Sequence, residues 1–275
     1  MDHRMRNPYR RLDPFTEKDH GLFFGREDEL SRLLDQVQAH DVTVLLGDRN
    51  VGKTSLLRAG LTPKLEELGY TVVYVGCLDS PVLRIQEALE RLELGRIPIQ
   101  STSLLALLQN IVQRTTCCVL LLDHAEQLFT RASNEERHQF MLDIASLLRH
   151  GNSRLKLVLS MRQDLAYHLL ELSAQVPDLY HRDHTLHLAG LRRESAYLAL
   201  TAPSARTAFP FPAEVAQVCL DDLGQAYDLP DLQILGFELF EFAQRHNRPV
   251  TLTDYYAIGR SPAILDQFFA AMVDN

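Results

Sequence analysis

Five short apolar runs, separated by stretches of helical spacing, organise the chain up to about residue 190. Val42-Thr43-Val44-Leu45-Leu46, Tyr70 to Cys77 (YTVVYVGC), Cys117 to Leu122 (CCVLLL) and Leu155 to Met161 (LKLVLSM) are nearly unbroken, and Thr185 to Leu188 is a shorter fifth. Runs without polar alternation predict strands covered on both faces, as in a parallel sheet. Between them, Ser55 to Ala59, Val82 to Leu94, Leu104 to Arg114 and Glu135 to Arg149 read as helices. Strands alternating with helices predict an α/β fold: a mostly parallel sheet with helices on both faces.

From about Leu191 the strand signals cease. Arg193 to Leu200, Pro212 to Leu223, Leu229 to Arg245 and Pro262 to Val273 read as helices, so a small all-helical domain is predicted to follow. Ala202 to Pro212, with Pro203, Pro210 and Pro212, reads as a loop inside that part. The expected organisation is a leader and first helix over 1–40, an α/β domain over 41–190 and a helical domain over 191–275.

Composition narrows the function classes. The chain has 275 residues, 46% of them hydrophobic and 23% charged, enough for a substantial core. A net charge of -8 argues against a general nucleic-acid binder, which needs clustered positive charge. The basic start, His3-Arg4-Met5-Arg6 with Arg10 and Arg11, is followed by no apolar stretch and so is not a secretory signal. No segment approaches the roughly 18 apolar residues of a membrane helix; a cytoplasmic protein is expected. Cys77, Cys117, Cys118 and Cys219 lack C-x-x-C spacing and read as reduced core thiols. His181, His184 and His187 suggest a zinc site, but the spacing of three between the last two sends their side chains to opposite faces at a strand edge, so they read as ordinary polar surface.

The sharpest chemical signal lies between the first strand and the first helix of the α/β part. Residues 47 to 54, GDRNVGKT, match G-x-x-x-x-G-K-[ST] in the order strand, loop, helix. Such a loop turns successive backbone N–H groups and a helix N-terminus onto nucleotide phosphates. Gly47, Asp48, Arg49, Asn50, Val51, Gly52, Lys53, Thr54 and Ser55 are therefore the predicted cradle, with Lys53 reaching the outer phosphates and Thr54 reaching Mg²⁺. ATP or ADP with Mg²⁺ is the expected ligand.

Asp123 ends the third strand, where a Mg²⁺-triphosphate needs its second metal anchor. His124 takes the next position, and Glu126 is the nearest further acid; it reaches the site if the chain turns helically after the strand. Glu126 as catalytic acid or base stands beside a role capping the following turn, and His124 as water-orienting residue is the lesser alternative. Arg162 ends the fourth strand, where it would sense the γ-phosphate or pair with nearby Asp164 on the surface.

Residues 7 to 30, NPYRRLDPFTEKDHGLFFGREDEL, resemble the leader of the STAND ATPases (signal transduction ATPases with numerous domains), specifically the bacterial novel STAND NTPases. Leu121-Leu122-Asp123-His124-Ala125-Glu126-Gln127-Leu128-Phe129 is similar to that family's L-V-D-Q-F-E-E-L-F, Ser160-Met161-Arg162-Gln163-Asp164 to its L-R-x-D segment, and Leu229-Pro230-Asp231-Leu232-Gln233 to its L-P-L-L-Q. Leu252-Thr253-Asp254-Tyr255-Tyr256 with Gly259 resembles a further motif whose glycine pair is here Gly259-Arg260. The phosphate loop carries Asp48-Arg49-Asn50-Val51 where relatives often have small Ser and Gly residues.

The resemblance implies an AAA+-like P-loop NTPase topology, with the strand of Arg162 inserted between the loop strand and the strand of Asp123. It supports Glu126 as the second acidic position. It implies an adenine pocket formed by Phe24, Gly25 and Arg26, closed by Pro230. It also implies a switch held closed by ADP and self-associating with ATP, in bacterial defence or conflict signalling. The winged-helix domain and repeats that sense ligands in such proteins do not follow before Asn275, so either the chain is a fragment or sensor and effector act in trans. A nucleotide-dependent scaffold with little hydrolysis is the alternative, and a DNA-associated AAA+ loader a third reading.

Overall fold

The computed structural model describes residues 6–77, 83–85, 87–88, 104–149, 154–173, 182–224 and 227–273. The predicted helix over 82–94 lies largely outside these, although 83–85 and 87–88 are helical; His181 lies outside them too. The strands are β1 (Val42–Gly47), β2 (Thr71–Gly76), β3 (Cys118–Asp123), β4 (Leu155–Arg162) and β5 (Thr185–Leu188). The helices are α1 (Glu27–Ala39), α2 (Lys53–Ser55), α3 (Thr62–Glu67), α4 (Leu104–Arg114), α5 (Gln127–Thr130), α6 (Asn134–Arg149), α7 (Leu169–Ser173), α8 (Arg193–Ala205), α9 (Ala213–Leu223), α10 (Leu229–His246), α11 (Leu252–Ala257) and α12 (Arg260–Val273). Residues Leu56–Leu61 join α2 to α3 as a π-helical segment. The chain divides into two compact units, one of residues 28–49 and 56–188, the other of residues 1–27, 50–55 and 189–275.

The first unit is built on a five-stranded sheet of order β2-β3-β4-β1-β5, every pair parallel. β4 lies between β1 and β3, the order implied by the family resemblance. Parallel neighbours need long crossovers, and the helices that make them cover the sheet. Val44 and Leu46 of β1, Leu120 and Leu122 of β3 and Leu157 and Leu159 of β4 share one face, in one core with Leu108 and Ile111 of α4 and Phe140 and Ile144 of α6. The alternate residues Leu45, Val119, Leu121 and Val158 are equally buried, as are Leu33 and Val37 of α1 and Leu57, Leu61 and Leu65. Burial on both faces is why these strands read as unbroken apolar runs.

The second unit is helical. Its core gathers Leu200 of α8, Val215, Ala216 and Cys219 of α9, Leu235, Leu239 and Phe240 of α10 and Tyr255 of α11 around Tyr9 of the leader. The Tyr9 ring stacks on Phe211 with centroids 5.5 Å apart and lies where a Cβ on Gly236 would come within 2.5 Å of it, so only glycine lets α10 approach. Its hydroxyl donates to the Leu200 carbonyl. Asn7 Nδ2 donates to the Phe237 carbonyl and to Glu241 Oε1, both at 3.1 Å, and Arg10 N–H donates to Gln233 Oε1 at 3.0 Å. The N-P-Y-R stretch is thus an anchor that docks the leader on α10.

α8 and α11 depart from the sequence reading. α8 runs to Ala205, so Pro203 is helical and the loop shortens to Arg206–Pro212. Pro203 is buried in the last turn, where its fixed φ is already helical and the cost is a single missing backbone donor. Residues Leu252–Ala257, which carry only a motif in the sequence, form a helix with a capping box between Thr251 and Asp254. Gly259 and Arg260 both have positive φ, 100° and 66°, so the family's glycine pair marks a left-handed turn into α12. Arg260 occupies it while pairing with Asp222. His184 is buried and His187 exposed, and among the described residues no cluster of His, Cys, Asp and Glu has the makings of a metal site. Cys77, Cys118 and Cys219 are buried free thiols, each pushed up to about 12 by burial.

The leader anchor has a measurable weight. Tyr9→Phe leaves the ring stack intact but removes the buried hydroxyl's bond to the Leu200 carbonyl, and urea unfolding is expected to show a loss of about 1 kcal/mol; an unchanged midpoint would contradict the anchoring role.

Candidate functional site

The carboxyl edge of the sheet collects the predicted acidic and basic residues. Gly47 of β1 is in register with Arg162 of β4, and Gly76 of β2 with Asp123 of β3. Strand pleating then puts Tyr74, Asp123, Ser160, Arg162 and Gly47 on one face. Asp123 is fully buried, and a buried carboxylate is costly unless it receives hydrogen bonds. Ser160 Oγ donates to its Oδ1 at 2.7 Å, the His124 backbone N–H to the same oxygen at 3.0 Å, and the Tyr74 hydroxyl to Oδ2 at 3.0 Å.

After Asp123 the chain reverses through a tight turn. His124 has φ 55°, and Ala125 N–H donates to the Ser160 carbonyl at 2.8 Å, holding the turn against β4. A β-region path here would carry the chain past the sheet edge; the left-handed residue bends it into α5 instead. Glu126, only 3% exposed, ends up where Oε2 accepts from the Arg162 backbone N–H at 3.3 Å. Burial opposes its ionisation, but His124 and the backbone N–H groups of Glu126 and Arg162 outweigh it and hold the carboxyl below the usual range. The His124 ring lies between the two acids, Nε2 3.8 Å from Asp123 Oδ2 and Nδ1 3.7 Å from Glu126 Oε1.

Asp123, Glu126, His124 and Arg162 are therefore neighbours, joined by Ser160 and Tyr74, which the sequence reading did not single out. The Arg162 guanidinium is committed to Asp164, with Nε 3.0 Å from Oδ1 and a second contact from Nη2. Of the two alternatives for the Arg162 side chain, the structure shows the surface pair with Asp164; its backbone N–H donates to Glu126.

The phosphate loop itself leaves β1 at Gly47 and enters α2 at Lys53. Asp48, Arg49 and Asn50 are exposed, Val51 and Lys53 are buried, and Thr54 and Ser55 are half-buried. Asn50 and Gly52 have φ of 59° and 93°, so two residues of the loop take the left-handed conformation. Asparagine tolerates it better than other side chains, which explains how the loop keeps its shape at Asn50 without a glycine there.

Residues of the helical unit and leader grip this loop. The Arg26 guanidinium, buried to 2% exposure, donates to the Val51 carbonyl at 3.0 Å. Ser55 Oγ accepts from the Phe15 backbone N–H at 3.1 Å. A Cβ on Gly52 would come within 2.6 Å of Leu229 Cδ1, the residue before Pro230 at the start of α10. Gly25 has φ 84° and lies so close to the Ser195 carbonyl that a Cβ would meet it at 2.3 Å. The half-buried Phe24 ring is faced by the Arg206 guanidinium at 5.0 Å. Of the four predicted pocket residues, Arg26 is directly bonded to the loop, Pro230 adjoins a residue packed on it, and Phe24 and Gly25 pack against α8 and its C-terminal end.

A protein-family model, Novel STAND NTPase 1, matches residues 8–272. The chain belongs to this family of NTPases. Its structure is similar to that of a Walker-type ATPase of Pyrococcus abyssi, with TM-score 0.67 and 16% identity over 95% of this chain and 75% of that one. It is also similar to the ORC1 protein of Aeropyrum pernix solved in complex with DNA, with TM-score 0.60 and 17% identity over 86% of this chain and 65% of that one. The ORC2 protein of the same organism, solved with ADPNP and ADP, gives TM-score 0.61 and 16% identity over 90% and 66%. The chain thus spans about two thirds to three quarters of the length of these structures, and the likeness is one of fold. A search of curated proteins finds no match. Among the described residues no helix is long and apolar enough to cross a membrane.

Two predictions follow from this geometry. Asn50→Gly is expected to keep nucleotide affinity, whereas Asn50→Val, forced into the left-handed region at a cost of roughly 1–2 kcal/mol, should weaken it about tenfold or destabilise the fold; calorimetric titration of ADP checks both. Because the Glu126 carboxyl is held low, its ionised form stabilises the fold above the unfolded value of 4.5, and that contribution disappears as pH falls through the folded value. The stability gap between wild type and Glu126→Gln should be constant from pH 6 to 8 and shrink below about 4.5, as read by denaturant unfolding at each pH.

Proposed function

We propose that the chain is an ATP-binding, slowly hydrolysing switch of the STAND type that acts in the cytoplasm, in bacterial defence or conflict signalling, and controls an effector. The observation that carries this reading is the buried Asp123 with Glu126 one turn beyond it, at the strand order that the phosphate loop requires. Gly47 to Ser55 cradle the phosphates, Lys53 neutralises the outer ones, and Phe24, Gly25 and Arg26 with Pro230 enclose the adenine. Thr54 and Asp123 offer only oxygen donors, which suits Mg²⁺. When bound, Mg²⁺ neutralises charge developing on the phosphates. Glu126, held ionised, is suited to orient a water or take its proton, and Arg162 to meet the γ-phosphate on release from Asp164.

Under this reading residues 1–40 act as leader, 41–190 as nucleotide-binding domain and 191–275 as a lid. The grip of Arg26 and Leu229 on the phosphate loop supports a lid that responds to nucleotide. Turnover is slow because transition-state charge is incompletely neutralised until an assembled neighbour contributes. The ATP-bound form self-associates and engages an effector or sensor, in trans or on a further C-terminal region.

A second reading is a nucleotide-dependent scaffold with little hydrolysis. His124, set between Asp123 and Glu126 where the family has glutamine, and the Arg162–Asp164 pair favour it. A DNA-associated loader draws only on fold likeness, and the net charge of -8 counts against it.

Native mass measurement with ADP and with a non-hydrolysable ATP analogue tests the switch: assembly is expected with the analogue alone, and identical masses would contradict it. Lys53→Ala should lose at least a hundredfold in nucleotide affinity. Single-turnover hydrolysis should fall at least a hundredfold in Glu126→Gln; equal, near-zero rates in variant and wild type would leave the scaffold.

A further inference from the structure

Resting on the Mg²⁺-nucleotide reading, we propose that Tyr74 is a positioning residue for the Asp123 carboxylate and that Arg58 holds Tyr74 in place. Asp123 sits at the end of its strand, and rotation about its last bond would exchange its two oxygens. Donors approach from the two strands that flank β3: Ser160 on β4 donates to Oδ1 and Tyr74 on β2 donates to Oδ2. Hydrogen bonds on both oxygens fix the plane of the carboxylate and leave its remaining lone pairs in set directions. A ligand carboxylate that is itself hydrogen-bonded in this way is pre-aimed at its cation, and loss of such a partner typically costs about 10–100-fold in metal affinity.

Tyr74 is half-buried on β2, and its own ring is secured from another element. The Arg58 guanidinium lies over it, 5.0 Å from the centroid, within cation–π range. Arg58 belongs to the π-helical segment Leu56–Leu61, which begins directly after the α2 turn that carries Lys53 and Thr54. A π-helical turn changes the angular position of each side chain relative to an α-helix, and such turns concentrate at functional sites. Here it brings Arg58 onto Tyr74. The path Arg58 to Tyr74 to Asp123 therefore ties the helix that follows the phosphate loop to the metal-anchoring carboxylate through side chains alone.

The test compares ADP and ATP affinity with Mg²⁺ and with EDTA, by calorimetry, for wild type, Tyr74→Phe and Arg58→Gln. Tyr74→Phe keeps the ring and removes the donor, so the enhancement of affinity by Mg²⁺ should fall about tenfold while affinity in EDTA stays within about twofold of wild type. Arg58→Gln should fall in the same direction by a smaller factor. A merely structural role would lower both affinities together, or only the melting temperature, and would overturn the proposal. Mg²⁺ enhancement unchanged in both variants would overturn it alone. A wild-type protein that binds nucleotide with an affinity that ignores Mg²⁺ would overturn the Mg²⁺-site reading as well.

Discussion

A carboxylate with no exposed surface must be hydrogen-bonded, and the edge of the sheet is arranged around that requirement at Asp123. Its donors come from three directions: Ser160 on one neighbouring strand, Tyr74 on the other, and the backbone of His124 in the turn beyond. Meeting the third demand bends the chain through a left-handed residue, and the bend delivers Glu126 to the backbone of Arg162. One electrostatic constraint thus positions both acids relative to the strand that precedes the phosphate loop. The parallel order, with β4 between β1 and β3, is what makes these donors available on one face.

In the helical unit a different interaction has the organising role. The leader is pinned by Asn7, Tyr9 and Arg10 to α10, then reaches the phosphate loop through Phe15 and Arg26. Leu229 meets Gly52 at the start of the same helix. Leader, α10 and loop therefore form one packed assembly. A phosphate that reshapes the loop would act on residues in direct contact with it.

Much of this was legible in the sequence, and the rest failed for identifiable reasons. Strands buried on both faces announce themselves as unbroken apolar runs, and Asp123 ends one of them, so the sheet and the buried acid at its edge followed from local pattern. Glu126 required only that the chain turn after the strand. Tyr74 looked like another apolar position in YTVVYVGC, because its partner lies on a strand 49 residues away and strand order is not written locally. The π-helical turn that places Arg58 has no spacing signature distinct from an α-helix. Pro203 read as a helix breaker although a buried last turn accommodates it. Asn50 looked foreign to a phosphate loop until its positive φ explained the residue type. The leader was recognisable as a motif, but its work as an anchor became visible only when Tyr9 was found inside the helical core.

The most direct test of the account is equilibrium titration of the wild-type protein, stripped of nucleotide, with ATP and with ADP in the presence of Mg²⁺. The account predicts saturable binding of one nucleotide per chain that is lost in Asp123→Ala and Lys53→Ala proteins of unchanged fold. Absence of binding to the folded wild type, or binding undiminished in both variants, would contradict it.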